Sequence, residues 1–500
     1  MEMKRRCKGV LFRGRAVFTF VVLTMIASVL ITLTVADQLI SPEHQAKPAA
    51  AVADDGVKNV AQPASGHSLK DTELSKLNAV LELIETKYYQ KVDRKELLDG
   101  AISGMLSSLD DPYSVYMEKD VALHFSESIE GSFTGIGAEV TMENGRIVVV
   151  SPIKGSPAER AGLLAKDVML TINGESLDGL NLQEAVAKIR GPKGTKAKIQ
   201  VLRNGVSEPI NLVLIRDDID VETVYANLLE DGTGIIEIRQ FSLHTAERFK
   251  EELEGLEQKG MKGLVIDVRN NPGGVLPVVV DIAQHFLAKG KTIVQVEDRN
   301  GTREKTVSEG SSKTYPIAVL MNNGSASASE ILAGALKESA GATLIGESTF
   351  GKGTVQVSYN KMLGDGSLVK MTIAKWLTPN GNWIHEKGIE PDIKVEPPEL
   401  YRAARLALTE TLELDMNGEK VRSAQIMLNG LGYEPFRDDG YFDAATEKAV
   451  KSFQTDNGLE ATGKIDDNTA NALELSVVKW IQDDKNDIQM LEAIKKVGRK

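Results

Sequence analysis

The chain has 500 residues, 42% hydrophobic and 26% charged, with 59 basic and 71 acidic side chains. That is the composition of a globular chain too long for one core, so several domains are expected. Its one cysteine, Cys7, excludes an intramolecular disulfide framework and a thiolate metal cluster, and its six histidines form no H-E-x-x-H, so neither a metal nor another cofactor is expected.

Residues 1–15 carry Lys4, Arg5, Arg6, Lys8, Arg13 and Arg15 against Glu2 alone and read as a cytoplasmic basic segment. Ala16 to Val35 then holds no charge. About twenty residues at about 1.5 Å each reach about 30 Å, the thickness of a bilayer's hydrocarbon core. Basic residues before such a span place the N-terminus inside and everything after it outside the cell membrane. Residues 16–36 are either a retained anchor or a cleaved signal that would release the protein. The run exceeds an ordinary signal core and Thr34-Val35-Ala36 is a poor cleavage site, which favours the anchor. Without those basic residues the rest is more acidic than the whole chain, whose net charge is −12. Nucleic acid is therefore not an expected partner.

Residues 37–67, rich in Ala, Pro, Asp and Gly, read as a linker. Over 68–128 the apolar spacing is helical, with Leu74, Leu77, Val80, Leu81 and Ile84, then Leu97, Leu98, Ile102, Met105 and Leu106. The turn Asp110-Asp111-Pro112-Tyr113 closes this arm. Such an arm packs either on a second subunit, making a homodimer, or on the rest of its own chain.

Residues 129–216 read as short strands, two helices and Gly-rich turns. Gly135-Ile136-Gly137-Ala138, Ser156-Pro157-Ala158-Glu159-Arg160-Ala161-Gly162-Leu163 and Asp167-Val168-Met169-Leu170-Thr171-Ile172-Asn173-Gly174 occur in the order that resembles a PDZ domain. The resemblance implies that a protein's C-terminal tail adds as a strand, its carboxylate held by backbone N–H groups of Gly135, Ile136, Gly137 and Ala138. Val186 and Ile189 of the adjoining helix would line the groove. Arg190, just beyond, is a candidate contact across the hinge to the next domain.

Residues 217–400 carry the α/β pattern. Leu264-Val265-Ile266-Asp267-Val268 and Ile317-Ala318-Val319-Leu320-Met321 are buried-type strands, each followed by a loop and a helix. Reactive groups in such sheets collect in loops beyond the carboxyl ends of strands, so Gly273, Gly274 and Ser327 are expected at one rim. Residues 415–475 (Leu431-Gly432-Tyr433, Asp439-Gly440-Tyr441-Phe442, Phe453-Gln454) resemble the small helical peptidoglycan-binding module. Residues 476–500 read as a helical tail with a basic end and no assigned role.

The chemistry concentrates in Asn323-Gly324-Ser325-Ala326-Ser327-Ala328-Ser329-Glu330 and Phe350-Gly351-Lys352-Gly353-Thr354-Val355-Gln356. A serine and a lysine on separate elements are the minimum for a Ser/Lys hydrolase. Ser327-x-x-Glu330 before an apolar helix is equally a capping box, in which the hydroxyl only satisfies backbone donors. A phosphate loop ending at Lys352 is excluded because Gly353 replaces the Ser or Thr it needs. No G-x-S-x-G occurs, which argues against a Ser-His-Asp hydrolase.

Asp267-Val268-Arg269-Asn270-Asn271-Pro272-Gly273-Gly274, the serine run and the G-K-G-x-x-Q segment, in this order behind a PDZ-like region, resemble the carboxyl-terminal processing peptidases over roughly residues 70–400. That resemblance implies a multidomain α/β protein: a ClpP/crotonase-like protease core with an inserted PDZ domain, an N-terminal helical arm and a C-terminal small helical bundle. It implies Ser327 as nucleophile, Lys352 as general base and Gln356 as the base's orienting partner. The physical chemistry agrees. An ordinary lysine is protonated at neutral pH, and burial among groups such as Phe350 and Val355 would lower its pKa. An even spacing would put Gln356 on the same strand face as Lys352, where a neutral amide holds the amine without adding charge. Ala328 N–H at the helix start, and Gly274 in preference to Gly273, are the expected oxyanion donors. Glu330 reads as a helix cap. The rival is a silent scaffold that binds tails and peptidoglycan.

Overall fold

The computed structural model describes residues 68–498 apart from 144, 154, 204, 205 and 207. The basic segment, apolar span and linker expected over 1–67 lie outside the described residues.

The strand Gly263–Asp267 is buried at all five positions, as a continuous apolar run requires when both sheet faces are covered. It lies within a six-stranded sheet ordered Val224–Leu228, Thr233–Ile238, Gly263–Asp267, Ile317–Met321, Thr343–Gly346, Ile393–Lys394, antiparallel at the first pair and parallel thereafter. Alternate side chains point to opposite faces. Leu264, Ile266, Val319 and Met321 pack with Phe249, Val279, Ile282, Ile331 and Leu332 from the helices Thr245–Gln258, Leu276–Gln284 and Ala328–Ala335. Val265, Ala318, Leu320 and Ile345 pack on the other side with Ala493 and Val497. The tail expected over 476–500 therefore covers the second face of this sheet.

A second sheet joins Thr354–Tyr359, Leu368–Leu377, Thr292–Asp298 and Arg303–Val307, all antiparallel. Val115–Met117 adds to it, with Val115 opposite Lys370. The arm therefore ends as a strand of the second sheet, a role its helical periodicity did not announce. Its helices Asp71–Lys87 and Arg94–Ser107 bury no residue among those described, and Leu74, Leu77, Val80, Leu98 and Met105 are exposed.

The chain enters and leaves the PDZ-like region through a two-stranded ribbon, Ser132–Gly135 against Asp217–Asp220. Between them stands a sheet of Ala138–Glu143, Arg146–Pro152, Val168–Ile172, Lys196–Leu202 and Ile210–Ile215, with its own core around Ile147, Val149, Ile172, Ile199 and Val201. Beyond these sheets, Glu419–Gly430, Ala444–Asp456 and Asp467–Ile481 surround Leu428, Phe442, Val450, Phe453 and Leu473. Asp467–Ile481 runs past residue 475, and a short turn leads into the helix Ile488–Val497.

Candidate active site

The strand Ile317–Met321 opens into the serine run, and the flanking serines hold that run in place. Ser325 Oγ donates to Val268 O at 2.7 Å and Ser329 Oγ to Asn271 O at 2.7 Å, both on the loop after the neighbouring strand. Ser327 differs. It is fully buried, and its Oγ has no hydrogen-bond partner among the described residues. Buried polar groups are nearly always paired, so an orphan hydroxyl needs a reason. Its backbone, at φ 55° and ψ −111°, lies in a region that costs about 1–3 kcal/mol for a residue with a side chain.

Glu330 holds that geometry. Its Oε2 accepts Ser327 N–H at 2.8 Å and Lys352 N–H at 2.9 Å, and its Oε1 accepts Gly351 N–H at 2.7 Å and Thr349 Oγ1–H at 2.5 Å. Only the carboxylate half of the expected capping box forms. The same carboxylate ties the serine loop to the lysine loop, a role its spacing from Ser327 did not reveal. Burial pushes the Glu330 carboxyl up, against the four donors that pull it down.

Lys352 is 1% exposed. Trp376 Nε1 donates to its carbonyl at 2.8 Å. The flanking glycines leave no room for a side chain: a Cβ on Gly351 would stand 2.8 Å from Gly388 N, and one on Gly353 2.8 Å from Trp383 Nε1. Burial, then the charge of Lys370, lowers the Lys352 pKa to about 7, while Glu330 and Asp111 pull upward. Phe350, expected as part of the apolar wall, is 53% exposed. The Tyr113 ring stands over the amine instead, its centroid 4.7 Å from Nζ. Tyr113 and Asp111 come from the turn that closes the helical arm.

Gln356 is buried, with Nε2 donating to Thr354 Oγ1 at 2.8 Å and Thr372 Oγ1 at 3.0 Å. Its Oε1 has no hydrogen-bond partner among the described residues. Even spacing does not put Lys352 and Gln356 on a common face: the strand begins at Thr354, after Lys352, and its pairing shifts between Val355 and Gln356.

Gly273 and Gly274 press against the serine turn and the neighbouring strand. A Cβ on Gly273 would lie 2.9 Å from both Ala328 N and Ser327 Cβ; one on Gly274 would lie 2.0 Å from Phe241 O. With φ of 108° and 155°, both positions require glycine. Gly273 N–H donates to Asn271 Oδ1 at 2.8 Å. The parallel bridge of Gly274 to Phe241 uses Gly273 O and Val275 N–H, leaving Gly274 N–H outside that pairing. Ala328 opens the helix, where N–H groups have no intrahelical acceptor. Asn322, unforeseen from sequence, joins the two loops by accepting Asn270 N–H at 2.8 Å and donating to Asn270 Oδ1 at 2.9 Å.

In the PDZ-like region Gly135 ends the entry strand, and the Ile136 and Gly137 carbonyls accept from Ala158 N–H at 2.8 Å and Ile153 N–H at 2.9 Å. Ala138 starts the next strand. Ile136 and Ile189 lie in the domain's core, so Ile189 supports the helix from beneath, whereas Val186 is half-buried. Arg190 reaches the helix Lys119–Glu130, donating to Glu127 Oε2 at 2.5 Å, and stacks 5.0 Å over the Phe133 ring.

Carboxy-terminal processing protease CtpB of Bacillus subtilis (strain 168) is 47% identical over 458 residues, 91% of this chain and 92% of its own. The chain belongs to the carboxy-terminal processing proteases. CtpA of the same organism is 46% identical over 85% of this chain and 91% of its own. The model of Peptidase family S41 matches residues 232–395, that of the Activating protease CtpB N-terminal domain 36–121, that of the PDZ domain 134–214, and that of the Putative peptidoglycan binding domain 417–473. Among solved structures, a photosystem II D1 C-terminal processing protease is similar at 32% identity over 65% of this chain and 87% of that one, with a TM-score of 0.39. As a processing protease, this multidomain α/β chain is an enzyme.

Proposed function

We propose that this carboxy-terminal processing protease is an extracytoplasmic Ser/Lys endopeptidase, anchored in the cell membrane through residues 16–36, that works through an acyl-enzyme. One observation carries the reading. A single carboxylate oxygen of Glu330 holds the N–H groups of both Ser327 and Lys352, linking a buried unpaired hydroxyl to a lysine whose pKa is near neutrality. Lys352, as the neutral amine, takes the proton of Ser327 Oγ, and the oxygen attacks the scissile carbonyl. The resulting ammonium gives that proton to the departing amine. Water then cleaves the ester, with Lys352 again the base. Gln356, whose Oε1 is left without a hydrogen-bond partner among the described residues, is assigned the role of orienting the lysine through a neutral amide that adds no negative charge.

The oxyanion is assigned to Ala328 N–H and Gly274 N–H. The choice of Gly274 over Gly273 is supported by the Asn271 side chain already bonded to Gly273 N–H. Loss of one such donor costs about 2.7–4 kcal/mol of transition-state stabilisation. The PDZ domain receives the substrate's C-terminal tail at Gly135–Ala138, and the Arg190–Glu127 contact spans its hinge. Residues 415–475 bind peptidoglycan, and the exposed apolar faces of the arm favour a homodimer.

The test incubates the purified chain with an unfolded protein beside Ser327→Ala and Lys352→Ala, each with and without the PDZ domain. Cleavage by the wild type and its loss in both variants is expected. Undiminished cleavage by either variant, or none by any form, defeats the Ser/Lys assignment.

A further inference from the structure

The helix Ile488–Val497, which follows the helical module, has no role in the chemistry described so far. It seals the second face of the protease sheet: Ala493 and Val497 bury against Val265, Ala318, Leu320 and Ile345. The fit at one strand is close, since a Cβ on Gly263 would stand 2.6 Å from Val497 O. At its start Asp487 Oδ1 caps the helix through Met490 N–H at 2.9 Å.

The same Asp487 reaches the catalytic rim. Arg269 begins the loop that ends in Gly273-Gly274, and its guanidinium is held on two sides. Nε and Nη2 donate to Asp267 at 3.0 and 2.7 Å; Nη1 and Nη2 donate to Asp487 at 2.9 and 2.7 Å, and Nη1 also donates to Gln489 Oε1 at 3.1 Å. Gln489 is itself fixed by donating to Val395 O at 2.7 Å. A planar guanidinium bonded along two edges has little freedom, and a lysine could not reproduce the fork. From Arg269 the order passes along the loop. Asn270 N–H is bonded to Asn322, and Asn271 donates to Ile238 O at 2.7 Å while its Oδ1 accepts Gly273 N–H. Each residue between the guanidinium and Gly274 that has a polar side chain is thus fastened, and the far anchor lies 218 positions away in sequence.

We propose that Asp487, contributed by the segment beyond the helical module, is a positioning residue for the Gly273–Gly274 oxyanion turn, acting through Arg269. The protease core is then complete only when the chain's last helix is docked. The inference rests on the Ser327/Gly274 reading above.

The experiment uses the full chain and a fluorogenic peptide, with Asp487→Asn, Asp487→Glu, Gln489→Ala and Ser327→Ala. It measures kcat, KM, thermal midpoint and inhibition by a peptide aldehyde, whose hemiacetal oxyanion needs the turn. Asp487→Asn is expected to lower kcat about 10- to 100-fold with KM within about twofold, and to weaken the aldehyde by the same factor as kcat/KM. Asp487→Glu should recover most of the loss. Wild-type kcat in Asp487→Asn, or a fall in kcat with aldehyde affinity unchanged, overturns the positioning role while an inactive Ser327→Ala leaves the dyad standing. An active Ser327→Ala overturns the dyad itself. If Asp487→Asn does not fold, Gln489→Ala decides: a fall of about 2- to 5-fold shared by kcat and aldehyde affinity supports the proposal, and wild-type values refute it.

Discussion

Lys352 shows how few of a buried lysine's neighbours are written near it in sequence. Its burial was expected; its wall was not. Tyr113 lies 239 positions earlier, and Lys370, 1% exposed and on the strand Leu368–Leu377, has its own pKa lowered by burial to about 8. Three charged groups act on the Lys352 amine: Lys370 disfavours the ammonium, whereas Asp111 and Glu330 favour it. A general base works in its unprotonated form, so kcat/KM is expected to rise with pH through a midpoint near the Lys352 pKa of about 7. Lys370→Met removes a repelling charge and should move that midpoint upward; Asp111→Asn removes an attracting one and should move it downward. Measuring kcat/KM against pH for the three forms checks both signs. A midpoint that Lys370→Met leaves in place, or lowers, sinks the electrostatic account.

At the scale of elements, long apolar runs were the reliable signal. Gly263–Asp267 and Ile317–Met321 appear as central strands because runs of five and four consecutive buried residues suit a sheet covered on both faces. Gln356 does not share a strand face with Lys352 by even spacing, because the strand is irregular there and pairing shifts are not visible in side-chain periodicity. The arm helices were legible as helices, yet periodicity names no partner for their apolar face. That face is exposed along Leu74, Leu77 and Val80. If a second copy covers it, Leu77→Asp together with Val80→Asp should leave the fold intact, since exposed substitutions usually cost within about 0.5 kcal/mol each, but should halve the mass in sedimentation equilibrium. Wild-type protein that sediments as a monomer at micromolar concentration removes the homodimer.

At the scale of the whole molecule, the domains cross the boundaries that composition draws. The arm supplies a strand to the second sheet, and the chain's last helix returns to cover the first. A chain ended at residue 414 would leave Val265, Ala318, Leu320 and Ile345 facing water. Burial of apolar area is worth about 25 cal/mol per Å², so the thermal midpoint of the protease transition should fall by about 5 °C or more. Calorimetry of the shortened and full chains tests this, and equal midpoints would mean that the helix does not stabilise the core.

Sequence by itself determined the central strands, the serine, lysine and glutamine proposed for the site, and the order of PDZ, protease and helical modules. Each of these is carried by residues close together along the chain, where composition and motif spacing act directly. Tertiary structure alone decided that Tyr113 stands over Lys352, that Glu330 joins two loops, and that Asp487 grips Arg269. Those contacts join distant segments through packing and ion pairing, which leave no periodic trace in a sequence.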